Sequence, residues 1–173
     1  MIIMKLLKYL IILLFVGAVV YIFYMIINNT NKISVKLDKC VDGDTAWFIV
    51  DGKSTKVRFL GIDTPESTNY VEEYGMDASS YTCNMLKSAN DIYIELDSNS
   101  ERYDKYDRLL GYVFVDNNNL GELLLSNGLA EVKYIYGDYK YIDSYCKVQY
   151  EAYLKGIGIW KNKDYSLNYC YEK

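Results

Sequence analysis

Hydrophobic spacing divides the chain into segments of different period. Residues 9–27 are about 19 consecutive uncharged, mostly apolar positions, which at about 1.5 Å per residue nearly span a hydrocarbon core. From Ile33 the period falls to two. Val35 and Leu37 alternate with Lys36 and Asp38, residues 45–50 read as a second strand, Asp51-Gly52 as a hairpin turn and residues 56–62 as a third strand. Alternation there sets Val57 and Phe59 on one face and Arg58 on the other. Residues 75–90 take helical spacing, with Ala78, Tyr81, Met85 and Ala89 on one buried stripe and Cys83 off it and exposed. Ile92, Ile94 and Leu96 form a fourth strand, and residues 110–115 a fifth before the asparagine turn at 117–119. A short helix follows, with Asn119 as N-cap, Glu122 three residues on in the capping-box position, and Gly128 as its stop. Tyr141, Tyr145, Val148 and Ala152 mark a last helix ahead of Gly156.

Five short strands with a helix between the third and fourth predict an α+β domain built on a small barrel or curled sheet. The expected organisation is a membrane anchor or signal segment with a short linker at 1–32, one folded domain at 33–160 and a tail at 161–173. Lys5 and Lys8 precede the apolar run and only Lys32 follows it closely, which favours an inside N-terminus and an outer domain. The run is longer than a usual signal core and lacks a small-x-small ending, so an uncleaved single-pass anchor is expected, with secretion after signal cleavage as the alternative.

Composition then removes whole classes of chemistry. The chain has no histidine, which excludes histidine acid–base catalysis, serine–histidine triads and histidine-rich zinc hydrolases. Cys40, Cys83, Cys146 and Cys170 include no closely spaced pair, so a zinc ribbon is not expected; disulfides are open, with three complete pairings that sequence does not choose among. Net charge is −4, so binding of a polyanion has to come from a local site and not from a basic surface. The 20 tyrosines carry no functional weight in bulk.

Local chemistry concentrates where the third strand runs into Asp63-Thr64-Pro65-Glu66, around the only proline in the protein. Pro65 fixes its own φ and pushes Thr64 toward extended backbone, so two carboxylates and the Thr64 carbonyl sit in one stiffened turn. With Asp44 from Val41-Asp42-Gly43-Asp44-Thr45, where glycine permits a tight backbone, these oxygens suit calcium. Arg58 and Arg108, the latter in Tyr103-Asp104-Lys105-Tyr106-Asp107-Arg108, add two guanidiniums of the kind that grip phosphate. Three carboxylates against two guanidiniums leave about one net negative charge before an anionic phosphate arrives, which is why a divalent cation is expected. Tyr134 and Tyr136 straddle Ile135 and would face the same way on an extended segment.

Taken singly, each motif is an ordinary turn. Together and in this order, with Asn127-Gly128-Leu129-Ala130 ahead of the two tyrosines, they resemble the staphylococcal-nuclease-like family over residues 34–160. The resemblance implies a five-stranded OB-fold barrel with three helices, here preceded by a transmembrane helix. It implies calcium held by Asp44, Asp63 and the Thr64 carbonyl, catalysis by Arg58, Glu66 and Arg108, and substrate contacts from Lys105, Tyr106, Tyr134 and Tyr136. It further implies hydrolysis of DNA and RNA phosphodiesters, and no obligate protein partner is evident. A noncatalytic OB-type binding module is the alternative. Asp107 stands where the family commonly has glycine and could compete for Arg108, and the loop from Glu66 to Gly75 is short.

Overall fold

The computed structural model describes residues 2–29, 31–68, 70–161, 167 and 170. It divides into two compact units, Met1–Lys32 and Ile33–Lys173. The first is a helix, α1 (Ile2–Asn29), whose segment Leu7–Met25 is long and apolar enough to cross a membrane, a property shared by signal sequences.

Among the described residues the second unit is organised by eight strands, three α-helices and a 3-10 turn at Gly158–Lys161. β1 (Lys32–Cys40), β2 (Thr45–Val50) and β3 (Lys53–Phe59) form an antiparallel meander. Asp51 and Gly52 both have positive φ in the two-residue turn between β2 and β3, as an Asp-Gly hairpin requires. After β4 (Ile62–Asp63) and α2 (Gly75–Ser88) come β5 (Ile92–Glu95), β6 (Leu109–Val115) and β7 (Asn118–Asn119). Antiparallel β5–β6 pairing, parallel β3–β6 pairing and the β1–β5 neighbourhood close a five-stranded barrel, β1-β2-β3-β6-β5. Its interior holds Phe48, Val57, Ile94, Leu109 and Val113, from strands that alternate as the sequence requires. α3 (Leu120–Ser126), β8 (Glu131–Val132) and α4 (Ile142–Lys155) complete the unit.

Several local expectations are corrected. The third strand does not run unbroken over 56–62: Gly61, at φ +81°, separates β3 from β4, and a Cβ there would lie 3.0 Å from Ile142. α2 buries Gly75, Ala78, Thr82 and Leu86, so its inner stripe is turned from the expected one; Tyr81, Met85 and Ala89 pack at its margin. Cys83 is half-buried because it forms a disulfide with Cys40, and Cys146 joins Cys170. Asn119 caps α3 by accepting from the Gly121 and Glu122 N–H groups, but Glu122 does not close the capping box; its carboxylate accepts from the Ser144 hydroxyl at 2.6 Å. In α4 the buried positions are Ile142, Tyr145, Gln149 and Ala152, and the buried Gln149 accepts from the Val132 N–H at 2.6 Å, tying α4 to β8. Beyond Lys161, most of the unassigned tail lies outside the described residues.

Candidate active site

The β3–β4 corner supplies Arg58, Asp63 and Thr64, and the β1–β2 turn supplies Asp44. These two segments touch because residue 43 has no side chain: a Cβ on Gly43 would lie 2.6–2.8 Å from the Thr64 side chain. Clearance is therefore the reason for glycine here, and Gly43 is absent from the positive-φ glycines. The turn is also tied to α2, since the Thr82 hydroxyl donates to the Gly43 carbonyl at 2.6 Å.

Arg58 is the hub. Although it projects from the face opposite Val57, it is only 8% exposed. Its Nη2 donates to Asp63 Oδ1 at 2.8 Å. Its Nη1 lies 2.6 Å from Asp44 Oδ2 as an ion pair. The guanidinium is thereby fixed between two carboxylates, presenting the planar fork that suits phosphate recognition. Asp44 Oδ2 also accepts from the Thr64 N–H at 2.9 Å, and Oδ1 from the Thr45 hydroxyl at 3.0 Å.

Burial pushes the Asp44 carboxyl up to about 6 against the opposing pull of Arg58, with Asp42 and Asp63 adding to the rise. The folded state thus holds the Asp44 proton more firmly than the unfolded chain does. Its contribution to stability is complete below about pH 4 and is lost as pH rises through about 6. At about 1.4 kcal/mol per unit, the loss is roughly 3 kcal/mol. In chelator, thermal melts between pH 4 and 7.5 should show wild type losing about that much stability relative to Asp44→Asn. A gap independent of pH would show that Asp44 ionises freely.

Asp63 carries a second cation: Lys133 Nζ lies 2.9 Å from its Oδ2 and 2.8 Å from Glu131 Oε1. Neither Lys133 nor Glu131 was singled out from the sequence, because only the β4–β8 ladder, with Asp63 directly opposite Glu131, brings them here. Tyr134 lies beside the same hub, with Arg58 Cζ 5.7 Å and Lys133 Nζ 5.6 Å from its ring centre. The alternation argument for Tyr134 and Tyr136 fails, since Tyr134 has φ +58° and the segment is not extended there. Both rings are exposed, while Ile135 packs toward the core. The following residues are pinned to the barrel: the Lys140 N–H donates to Asp97 Oδ2 at 2.8 Å, and Lys140 Nζ pairs with Glu95.

Glu66 is exposed, and its backbone is fixed from two sides. Its N–H donates to Glu72 Oε2 at 2.9 Å, and its carbonyl accepts from the Glu72 N–H at 2.9 Å. Gly75 packs against that carbonyl so closely that a Cβ would lie 2.1 Å away. Arg108 immediately precedes β6, and since Arg58 pairs with Leu110, Arg108 belongs to the same sheet face two residues back on the neighbouring strand. Its Nε donates to Asp104 Oδ2 at 2.6 Å; Asp107 does not take it. Burial would raise the Asp104 carboxyl, but hydrogen bonds from Arg108 and Tyr106 hold it below the usual range. Asp107 has φ +57°, which is the conformational reason a glycine would suit that position. Tyr106 lies against Lys105 and Arg108, at 5.0 and 5.4 Å from their charged groups.

The structure therefore gathers Asp44, Asp63 and Tyr134 around Arg58, with Thr64 held to Asp44. Glu66, Lys105, Tyr106, Arg108 and Tyr136 stand outside that contact set. No group of three or more His, Cys, Asp or Glu side chains surrounds one point among the described residues. Asp44 and Asp63 meet through the Arg58 guanidinium, and the Thr64 main-chain N–H donates to Asp44 Oδ2; two carboxylates at one corner are oxygen donors of the type a hard cation takes.

A closed five-stranded barrel with a guanidinium bridging two aspartates at the β3–β4 corner defines an OB-type barrel with a carboxylate–arginine site. Comparison with known proteins gives the particular family. A family model described as "Staphylococcal nuclease homologue" matches residues 56–162. Endonuclease YncB of Bacillus subtilis (strain 168) is 39% identical over 145 residues, spanning 82% of this chain and 68% of that protein. The SPbeta prophage-derived endonuclease YokF of the same organism is 41% identical over 137 residues, spanning 77% of this chain but only 46% of its own length. The Thermonuclease of Staphylococcus hyicus is 32% identical over 139 residues, spanning 79% of this chain and 80% of its own. The chain belongs to the staphylococcal nuclease family.

Proposed function

We propose that the protein is a calcium-dependent endonuclease that hydrolyses DNA and RNA phosphodiester bonds. The observation that carries the reading is the buried Arg58 guanidinium, held between Asp44 and Asp63 at the β3–β4 corner. Arg58 and Arg108 offer paired donors to the phosphate oxygens, which gain charge as the water oxygen attacks phosphorus and the ester oxygen leaves. Glu66 orients that water and accepts its proton. Asp44, Asp63 and the Thr64 carbonyl would hold calcium, whose chemistry when bound is to neutralise developing charge on phosphate. Lys105, Tyr106, Tyr134 and Tyr136 contact the substrate strand through charge and ring stacking.

The apolar segment 9–27 anchors this domain to the cell membrane with the nuclease outside. Lys5 and Lys8 flank its N-terminal side, and two disulfides in the folded unit suit an oxidising compartment. A weak calcium site of few protein ligands also suits the high calcium found outside cells.

Two measurements test the whole reading. Residues 33–173, a compact unit by itself, should degrade single-stranded DNA and RNA in millimolar calcium and stop in chelator. Folded protein that binds but never cleaves would be a noncatalytic OB-type module. Protease added to intact cells should remove the domain from the full-length protein; a shortened soluble form in the medium would mean a cleaved signal.

A further inference from the structure

Lys133 is the one cation besides Arg58 that contacts a proposed calcium ligand among the described residues. It follows β8 directly, and its N–H donates to the Gly61 carbonyl at 3.2 Å, so its backbone is fixed across from the β4 strand that carries Asp63. Register sets Asp63 and Glu131 opposite one another, a like-charge pair that destabilises a ladder unless something bridges it. Lys133 is that bridge, with Nζ 2.9 Å from Asp63 Oδ2 and 2.8 Å from Glu131 Oε1.

The consequence for Asp63 is that both oxygens are engaged: Oδ1 receives Arg58 and Oδ2 receives Lys133. A divalent cation approaching Asp63 has to displace the ammonium from Oδ2 or accept a positive charge a few ångströms away. Either event weakens its binding. Displacement is open to Lys133, because its side chain is 45% exposed and Glu131 remains as an anchor when Asp63 is given up. Arg58, by contrast, is buried and pairs with both aspartates at once.

We propose that Lys133 is a tethered counter-cation that occupies Asp63 when calcium is absent and exchanges with calcium, setting the concentration at which the site loads. Lys133 is thus a positioning residue: it acts through Asp63. The role deepens the calcium reading given above and rests on it. It also accounts for a carboxylate pair, Asp63 and Glu131, that the metal-free domain could not otherwise hold side by side at little cost.

The test is a calcium titration of the full-length protein in mild detergent, followed by calorimetry and by the calcium-induced rise in melting temperature. Lys133→Met keeps the length of the side chain and removes its charge; it should tighten calcium binding on the order of tenfold and enlarge the melting shift. Lys133→Gln, which keeps hydrogen-bond donors for both carboxylates, should tighten binding likewise and guards against loss of the fold. Lys133→Arg should stay within about twofold of wild type. Because the contact is shorter than any screening length, the tightening should persist at about 0.5 M salt. Calcium affinity in the Met and Gln variants equal to or weaker than wild type, with wild type binding calcium, would overturn the role of Lys133 alone. Wild type that binds no calcium at all would instead overturn the calcium reading and this inference with it.

Discussion

Arg58→Lys is expected to lower the rate of single-stranded DNA cleavage by roughly 10² or more, the scale for losing one directed donor to a transition-state oxygen. The structure gives the reason. Arginine reaches Asp63 with one terminal nitrogen and Asp44 with the other. An ammonium is a single point of charge and cannot bridge two carboxylates while facing a phosphate. The same substitution leaves one carboxylate short of its partner, which costs about 1–3 kcal/mol in a buried setting. Rates therefore need comparison well below the melting temperature of the variant, with circular dichroism matching wild type. Near-normal turnover under those conditions would remove Arg58 from the chemistry.

Loss of the Cys40–Cys83 disulfide is expected to destabilise the domain by about 4 kcal/mol, a large part of the margin of a typical domain. The loop it closes spans 43 residues, against 24 for Cys146–Cys170, for which the corresponding figure is about 3.5 kcal/mol. Position separates the two bonds further. Cys40 stands immediately before the turn that carries Asp44, and Cys83 follows Thr82, whose hydroxyl holds Gly43. The Cys40→Ser/Cys83→Ser variant should therefore bind calcium less tightly as well as melt earlier. Cys146→Ser/Cys170→Ser should melt earlier with calcium affinity unchanged, because that bond ties α4 to the chain beyond it. Equal calcium affinities in both variants would show that the turn is held without the first disulfide.

These expectations depend on features of unequal legibility in the sequence. Strand alternation is a local property, so β2, β5 and β6 could be read from spacing, and so could the Asp51-Gly52 turn, since positive φ at both positions selects those residue types. Arg58 could be placed opposite Val57 by parity alone. Parity failed at Tyr134, because a left-handed residue breaks the extended geometry that alternation assumes. Helical spacing in turn misplaced the buried stripe of α2, where small Gly75 and Thr82 are inside: Gly75 for its approach to Glu66, Thr82 for its hydrogen bond to Gly43.

What the sequence determined by itself was the order of elements, the apolar segment and the carboxylate and arginine motifs, all set by residues near one another in the chain. Tertiary structure alone decided which groups meet. Asp44 and Thr64 are joined because Gly43 leaves room for the contact, Cys40 is joined to Cys83 across the loop that separates them, and Lys133 reaches Asp63 only through the β4–β8 register. Distances of this kind are fixed by barrel closure and cross-strand pairing, and neither leaves a mark on local spacing.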